Sequence, residues 1–369
     1  PWVMGLLVRH FMLPRAGTES VEVNGGDKLR RAIDAGKGVL IAPNHCRPCD
    51  PLLLSALTAE MGVPPYIMAS AHLFRSPWMR WLLPRMGAFS MNREGMDRES
   101  LKLASGILAA AKRPLVIFPE GVITRTNDRV IHLQEGVSFL ARNAAKSCRE
   151  SGGEVVIFPV ALRYRFMGPW EDSVLPVVER LEQRFGWKAA STPLLERVLR
   201  LGHGLLSLKE VEYFGVVQQG SMEERLARFM EGVLAPMEQE FLAGRSEDST
   251  VMRVKNLRKA LLPGLVSSSL PATERERRWK LLFDLEVAQQ AYHFPPDYIT
   301  QNPSPERIIE TVERYEEALG SRQPTIHRPM KVILTVGDAM VVDAKRERGT
   351  SDPLMSELRN RLHELLQSE

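Results

Sequence analysis

A histidine and an aspartate, His45 and Asp50, stand five positions apart in the run NHCRPCDP, residues 44–51. A carboxylate that hydrogen-bonds an imidazole holds one tautomer of the ring and stabilises its protonated form. The other ring nitrogen is then available to accept a proton from a substrate hydroxyl. The pair therefore predicts general-base chemistry. No serine or cysteine nucleophile is required if the hydroxyl belongs to an acceptor molecule.

The elements around this pair decide whether the two side chains can meet. On a continuous helix, a spacing of five residues would separate them by about 140°. The apolar run GVLIAP (38–43) instead predicts a buried strand that ends just before His45, and Pro51 suits the first position of a helix. Asp50 would then be the N-cap of that helix and would stay ionised near its positive end. The pair is thus predicted where open α/β sheets bind ligands, at the carboxyl end of a strand.

Each of these residues also has an ordinary interpretation, because single aspartates often cap helices and single histidines often hydrogen-bond within loops. In the same loop, Cys46 and Cys49 have the C-x-x-C spacing of redox pairs and of half zinc sites. The remaining cysteine, Cys148, and the scattered histidines offer no second paired motif. We therefore predict neither a redox centre nor a metal site, and keep both as alternatives.

Apolar runs and helical segments alternate over residues 27–166. The predicted strands are 38–43, 64–70, 87–92, 114–119 and 155–164, and the predicted helices are 27–36, 51–61, 96–112 and 134–149. This alternation predicts an α/β fold with a mostly parallel central sheet flanked by helices, as in α/β layer proteins. Pro159, inside the last of these runs, predicts an edge position or a bulge.

The sequence changes character after residue 166. Residues 191–320 are predicted to be mainly helical, without a convincing internal repeat, and strand character returns at 331–343. We predict an additional mainly helical region and four parts in all. These parts are an apolar or amphipathic segment (1–26), an α/β core (27–190), a helical insertion or second domain (191–325), and C-terminal strands and a helix that rejoin the core (326–369).

The composition narrows the class of protein. The 369 residues are 44% hydrophobic and carry a formal net charge of +4, with both signs mixed along most of the chain. These values fit a globular protein rather than a dedicated nucleic-acid binder. The three cysteines indicate a reducing compartment, and no apolar run reaches the ~18 residues of a membrane-spanning helix. We expect a cytoplasmic protein without a nucleic-acid partner.

Polar residues that could hold a substrate follow two further predicted strands. Glu120 and Gly121 come directly after an apolar run, and Thr124 and Arg125 lie a few residues further on. Glycine permits a tight turn, and a hydroxyl beside a guanidinium can hold a phosphate. Arg93 follows another predicted strand and is a second phosphate candidate. The alternatives are a β-turn with solvated charges and a surface ion pair.

Four segments, in this order, resemble the four blocks of the glycerolipid acyltransferase family, which includes the 1-acylglycerol-3-phosphate acyltransferases. They are N-H-x-x-x-x-D at 44–50, the segment 89–93 that closes on an arginine, F-P-E-G at 118–121, and F-P-V at 158–160. Each lies in or beside a predicted strand. The chain departs from the family after the third block, where Val-Ile-Thr-Arg replaces the usual Thr-Arg-Ser.

The resemblance implies an O-acyltransferase with His45 as base and Asp50 as its orienting partner. The residues that it assigns to acceptor binding are Arg93, Glu120 and Gly121, with Thr124 and Arg125 as displaced phosphate candidates. The donor would be acyl-CoA or acyl-carrier protein, with no other cofactor and no metal. The acceptor would be lysophosphatidate or a similar lysolipid. The alternatives are glycerol 3-phosphate, a different lysolipid, or a non-catalytic lipid- or acyl-binding module.

Residues 73–87, LFRSPWMRWLLPRMG, combine tryptophans with arginines. Tryptophan is enriched at membrane interfaces, where arginine can meet anionic headgroups. We therefore expect peripheral association with a membrane surface. The apolar segment 1–14 could also lie in the interface as an amphipathic helix. The alternative for both segments is a helix packed on the core, with its arginines extending to solvent.

Overall fold

The structure, a computed structural model, describes residues 8–92, 97–149, 152–188, 191–247, 249–266, 270–293, 296–320, 323–345 and 352–368. The chain divides into two compact units. One consists of Pro1–Trp170 with Ile326–Glu369, and the other of Glu171–Thr325. The first unit contains the β-sheet. Within the described ranges, no helix is both long and apolar enough to cross a membrane.

The first unit is built on an eight-stranded sheet. In chain order its strands are β1 (Thr18–Asn24), β2 (Gly38–Pro43), β3 (Tyr66–Ser70), β4 (Ala88–Met91), β5 (Leu115–Val116), β6 (Val155–Phe166), β7 (Met330–Val336) and β8 (Met340–Val341). Their spatial order is β1-β7-β6-β2-β5-β3-β4, with β8 beside β6. Strands β2 to β6 are mutually parallel, whereas β7 and β8 run antiparallel to β6. This mostly parallel, mixed sheet confirms the predicted fold class.

The helices are numbered along the chain. They are α1 (Gly26–Asp34), α2 (Asp50–Leu53), α3 (Ser55–Met61), α4 (Pro77–Arg85), α5 (Arg98–Ala110), α6 (Gly136–Arg149), α7 (Trp170–Arg184), α8 (Leu194–Phe214), α9 (Met222–Phe241), α10 (Thr250–Val266), α11 (Ala272–Tyr292), α12 (Pro305–Ala318) and α13 (Pro353–Gln367). Three short elements also occur: a π-helical turn at Val8–Met12, a helix at Leu13–Arg15, and a 3-10 turn at Ala71–Arg75.

Strand β2 lies in the middle of the sheet, and all of its residues are buried. Fully apolar strands of this kind are expected where helices cover both faces of a parallel sheet. One apolar cluster joins Ile157 of β6 to Leu108 of α5, Leu140 of α6, and Leu358 and Leu362 of α13. The C-terminal helix is therefore part of the core that supports the central strands.

The helical unit is inserted between two neighbouring strands. Strands β6 and β7 form an antiparallel pair in which Phe166 faces Met330. The backbone N–H of Met167 donates to the carbonyl of Pro329 at 2.9 Å, which extends the pairing by a further step. The chain thus leaves the sheet and returns to it at one end of a β-hairpin.

Residues 18–24 form strand β1, although the sequence predicts that they belong to an N-terminal apolar or amphipathic segment. β1 is an edge strand whose partner in the sheet is β7. Only Thr18 in it is buried, and its glutamates alternate with half-buried valines. The apolar signal of a strand is therefore weak here, because one face is solvated.

Pro159 lies in the interior of the sheet, so the predicted edge position or bulge is wrong. On one side β6 keeps an unbroken parallel register with β2. On the other side it pairs with β8 at 156–157 and with β7 at 160–166. Pro159 falls between these two partners, where its carbonyl accepts from Gly337 N–H at 2.9 Å. Proline has no N–H to return a bond to Gly337, and β7 ends one residue earlier, at Val336.

The helical unit begins at Glu171, earlier than the predicted boundary at residue 191. Helix α7 is joined to later helices of this unit by ion pairs. Arg197 contacts Glu182 at 2.7 Å, and Arg180 contacts Glu316 at 2.7 Å. These contacts explain why a helix that follows directly on β6 belongs with the helical unit.

Three successive helix pairs of the second unit are joined by the same kind of ion pair. In each, an arginine at the fourth residue of a helix contacts both carboxylate oxygens of a glutamate near the end of the preceding helix. The pairs are Arg197–Glu182, Arg225–Glu210 and Arg253–Glu238, with N–O distances of 2.7 to 3.1 Å. The three glutamates are almost completely buried. Bidentate pairs of this kind fix geometry as well as charge, and here they set the register of adjacent helices.

These ion pairs recur at a constant spacing along the chain. The two partners of every pair are 15 residues apart. The glutamates recur at positions 182, 210 and 238, a period of 28 residues. The shared signal consists of two charged residues per period, so it becomes visible only when the contacts are known.

Candidate active site

The loop after β2 is anchored to β6 by an asparagine. The Asn44 side chain donates to Leu162 O at 3.1 Å and accepts from Leu162 N–H at 2.7 Å. This amide continues the pairing of the two strands beyond Pro43, where β2 ends. The next residue, His45, is thereby held at the carboxyl end of the central strands. Its ring stacks on Phe118, with 4.1 Å between the ring centroids.

His45 and Asp50 meet in this loop. Nδ1 of His45 lies 2.8 Å from Oδ2 of Asp50, and the two side chains are 10% and 0% exposed. The same carboxylate oxygen accepts from the backbone N–H of Arg47 at 2.9 Å. Asp50 therefore occupies one ring nitrogen of the histidine and leaves Nε2 for another partner.

The cap role predicted for Asp50 is wrong. Asp50 is the first residue of α2, and Cys49 occupies the N-cap. The helix starts one residue early because the chain already turns at Arg47, whose carbonyl accepts from Asp50 N–H at 3.1 Å. The carboxylate points back to the loop and to His45, away from the amides of its own helix.

The second carboxylate oxygen of Asp50 also has a donor. The hydroxyl of Tyr164, on β6, donates to Oδ1 of Asp50 and lies 3.3 Å from the sulfur of Cys49. Tyr164 is 1% exposed. Burial, and then the charge of Asp50, raise the pKa of Tyr164 well above its ordinary value, so the hydroxyl keeps its proton. The guanidinium of Arg47 lies over the Tyr164 ring, 5.0 Å from its centroid.

The loop after β5 is anchored to β6 in the same way as the loop after β2. The Asn127 side chain donates to Tyr164 O at 2.9 Å and accepts from Tyr164 N–H. Asn44 makes the matching pair of bonds with Leu162, two residues earlier on the strand. Two asparagines thus fix both loops of the site to alternate residues of one strand.

The loop after β5 also holds the backbone of His45. Oε1 of Glu120 accepts from His45 N–H at 2.7 Å. The carbonyl of His45 accepts from Thr124 twice, from the backbone N–H at 2.8 Å and from the hydroxyl at 3.1 Å. Hydrogen bonds therefore hold both the N–H and the carbonyl of His45, and they restrict the backbone that carries the ring.

Glu120 is buried beside the pair formed by His45 and Asp50, which is called the dyad from here on. The pKa of Glu120 is raised to about 8, chiefly by burial and also by the charge of Asp50, while the hydrogen bond from His45 N–H opposes the shift. Desolvation is the largest of these effects, and it disfavours the charged form of a carboxyl group. At neutral pH most of the Glu120 carboxyl groups are therefore protonated.

Of the other predicted site residues, the structure describes Gly121, Thr124 and Arg125 but not Arg93. Gly121 has φ +73°, and an added Cβ would lie 3.1 Å from Gln134 Cγ, so glycine suits this turn. Thr124 and Arg125 are buried within the loop, at 1% and 6% exposure. Arg93 lies outside the described residues. Binding of the acceptor by these residues stays a prediction.

The three cysteines are buried, and none of them is in a disulfide. Burial, and then the charge of Asp50, raise the pKa of Cys49. A thiol that keeps its proton is a poor nucleophile and a poor metal ligand. Over the described ranges, no group of three or more His, Cys, Asp or Glu side chains could hold a metal ion.

Sequence reasoning named neither Tyr164 nor Asn127 as part of the site. Tyr164 is the last residue of the predicted strand 155–164, and a buried tyrosine hydroxyl usually has a partner. That signal gives no indication of the partner, because Tyr164 and Asp50 are 114 residues apart. Only the strand order brings β6 beside β2.

A known protein family matches the part of the chain that contains His45 and Asp50. The family model described as Acyltransferase matches residues 20–163. The matched residues form a glycerolipid acyltransferase domain. They include His45, Asp50 and Glu120, so the acyltransferase domain contains the whole dyad. No curated protein matches the chain significantly.

The acyltransferase domain implies an acyl donor and a lipid acceptor as substrates. Its sheet extends past the matched residues, because β7, β8 and α13 belong to the same compact unit. Tyr164 is the first residue after the match, although its hydroxyl contacts the dyad.

Proposed function

We propose that this protein is an O-acyltransferase that moves a fatty acyl group from a thioester to a hydroxyl of a lysolipid. The contact of His45 Nδ1 with Asp50 Oδ2 at 2.8 Å, inside an acyltransferase domain, carries the proposal. Because Asp50 accepts from Nδ1, the tautomer with its proton on Nδ1 is favoured. The lone pair of Nε2 is then free to accept a substrate proton.

In the proposed reaction, Nε2 of His45 takes the proton of the acceptor hydroxyl while the hydroxyl oxygen bonds to the thioester carbonyl carbon. Asp50 stabilises the imidazolium that forms. The tetrahedral intermediate then collapses, the carbon–sulfur bond breaks, and the sulfur leaves with the electron pair. The imidazolium returns its proton to the sulfur. The products are an ester and a free thiol, and His45 is neutral again.

Acyl-CoA or acyl-carrier protein is the proposed donor, and lysophosphatidate or a similar lysolipid is the proposed acceptor. The blocks shared with the 1-acylglycerol-3-phosphate acyltransferases support this choice. Arg93, Thr124 and Arg125 are the proposed phosphate contacts. Glycerol 3-phosphate and other lysolipids are the alternative acceptors, and the assay below separates them.

We further propose that the protein works on the cytoplasmic surface of a membrane, with α4 against the lipid. Helix α4 has no buried residue, and Trp78 and Trp81 are 62% and 50% exposed. Their rings stack with 5.3 Å between centroids, and the Arg85 guanidinium lies 4.2 Å from the Trp81 ring centroid. Residues 71–86 contain three arginines and no acidic residue. An exposed aromatic and cationic helix suits an anionic lipid surface.

Vesicle sedimentation tests the membrane proposal. The double variant Trp78→Ala, Trp81→Ala should bind anionic vesicles more weakly than the wild type, and added salt should weaken wild-type binding. Trp279→Ala, which removes a tryptophan 58% exposed in the helical unit, is the matched control. Equal binding by the double variant and the wild type would exclude α4 as the contact.

An acceptor panel tests the activity itself. Radiolabelled acyl-CoA and acyl-carrier protein are each offered with lysophosphatidate, other lysolipids and glycerol 3-phosphate. His45→Ala should abolish transfer while the fold persists. His363→Ala, at a half-buried histidine of α13, should retain transfer. Unchanged turnover in His45→Ala would refute the mechanism. A wild type that binds lysolipid without turnover would favour the non-catalytic module.

A further inference from the structure

The carboxylate of Asp50 is held through both of its oxygens. Oδ2 accepts from His45 Nδ1 at 2.8 Å and from Arg47 N–H at 2.9 Å, and Oδ1 accepts from the Tyr164 hydroxyl. The carboxylate is 0% exposed, so water offers no ready substitute for any of these donors. Rotation of the carboxylate would break at least one of these bonds. The hydrogen bonds to both oxygens therefore fix the plane of the carboxylate and the direction in which Oδ2 points.

We propose that Tyr164 is a positioning residue of the acyl transfer, which holds Asp50 so that Oδ2 faces His45. The proposal rests on the proposed function, because it concerns the same dyad. Tyr164 acts through Asp50 and is assigned no contact with substrate. The hydroxyl serves as a fixed donor, comparable to the outer groups that orient metal-binding histidines in other proteins.

Tyr164 is itself held in place, as a positioning residue must be. Its backbone N–H and carbonyl are both bonded to the Asn127 side chain. Its ring lies under the Arg47 guanidinium, and its hydroxyl borders the Cys49 sulfur. Because its backbone, ring and hydroxyl all have neighbours in the described structure, the donor has little freedom to follow Asp50 if the carboxylate turns.

Without the hydroxyl, Oδ1 of Asp50 would be a buried anionic oxygen that has lost a donor. A buried acceptor that loses its partner carries a desolvation penalty, and rotation of the carboxylate toward other donors would relieve it. That rotation would lengthen the bond to His45 and release the ring. Binding of lipid and thioester would be unaffected, since Tyr164 is assigned no contact with either. The expected defect therefore falls on kcat and spares KM.

The variant Tyr164→Phe removes the hydroxyl and keeps the ring. We expect kcat to fall about 10- to 100-fold with KM unchanged. Tyr298→Phe is the matched control, because Tyr298 is 3% exposed and its hydroxyl also donates to a carboxylate, that of Glu310 in the helical unit. The control should keep both constants. A Tyr164→Phe enzyme with wild-type kcat, or with a change in KM alone, would overturn the proposal.

Nuclear magnetic resonance of protein labelled with 15N-histidine gives a readout that does not depend on turnover. The His45 ring signals, assigned by their loss in His45→Ala, should shift in Tyr164→Phe and stay in place in Tyr298→Phe. Unshifted His45 signals in folded Tyr164→Phe would reject the role of Tyr164 even if no acceptor is ever found. If the wild type transfers no acyl group but the signals shift as expected, the proposed activity fails and the positioning of His45 stands.

A second measurement applies if Tyr164→Phe does not fold. The wild type and Asp50→Asn are labelled with 3-fluorotyrosine, and their 19F spectra are compared. Of the six tyrosines in the chain, only the signal of Tyr164 should move strongly, since its hydroxyl contacts the altered side chain. Identical spectra would refute the proposal.

Discussion

Replacing Glu120 by glutamine should remove a pH-dependent loss of stability from the acyltransferase unit. The pKa of Glu120 is raised from its ordinary value of 4.5 to about 8 in the folded protein, first by burial and then by the charge of Asp50. Below the lower value, the carboxyl is protonated in both the folded and the unfolded chain. Between the two values, the unfolded chain releases a proton that the folded chain keeps. The free energy of unfolding therefore falls as the pH rises through this window.

The size of the effect follows from the two pKa values. In the window, one proton separates the folded from the unfolded state, which gives a slope of about −1.4 kcal/mol per pH unit. Over the whole window of roughly 3.5 units the loss reaches about 5 kcal/mol, an upper estimate for one buried group. Glutamine cannot ionise, and its carbonyl oxygen can still accept from His45 N–H. Glu120→Gln should therefore lack this slope.

Urea unfolding of both proteins at about pH 5, 6.5 and 8 measures the difference directly, because every other titrating group is common to the pair. The two units can unfold in separate steps, so only the step that responds to the substitution is compared. Glu99→Gln, at an exposed position on α5, is the control and should follow the wild type. Parallel pH slopes for the wild type and Glu120→Gln would refute the argument that Glu120 is protonated when folded.

Two further perturbations address the loop cysteines and the repeated ion pair. Replacing Cys46 and Cys49 together by alanine should lower acyl transfer by less than about tenfold, because the buried thiols are assigned no catalytic step. A complete loss of turnover, or metal bound in stoichiometric amount by the wild type, would revive a redox or zinc function. Arg225→Ala should destabilise the helical unit by about 3–5 kcal/mol in urea unfolding, because it leaves a buried carboxylate without its cation. The exposed pair of Arg277 provides the comparison: Arg277→Ala should cost at most about 1 kcal/mol. Equal costs for the two variants would contradict the importance of burial.

Local sequence was enough to predict most strands of the sheet and its class. The run 38–43, for example, is apolar throughout and forms the central strand β2. The same reasoning missed β1, whose valines alternate with exposed glutamates on an edge strand. It misplaced Pro159, because the gap between β7 and β8 depends on how distant strands pair. Strands with a local apolar pattern could therefore be predicted from the sequence. Which distant strands pair with each other could not.

The candidate site also combines contacts that the local sequence predicts with contacts that depend on the order of the strands. His45 and Asp50 share one loop, so their meeting was predictable from the residues between them. Tyr164 and Asn127 reach the site only because β6 lies beside β2. The cap role of Asp50 failed for a local reason, since the turn at Arg47 begins the helix one residue early. Contacts across the sheet required the structure.

The pairing of β1 with β7 has a consequence for how the protein is made. β1 is complete once residue 24 has been synthesised, but β7 begins at Met330, after the whole helical unit. Until then β1 lacks its strand partner, and β6 exposes the edge that β7 and β8 later cover. Unpaired strand edges make a partly folded chain prone to aggregation. The acyltransferase sheet therefore cannot be completed until β7 and β8 have been synthesised. The helical unit is synthesised before these strands, so it can fold before the sheet is complete.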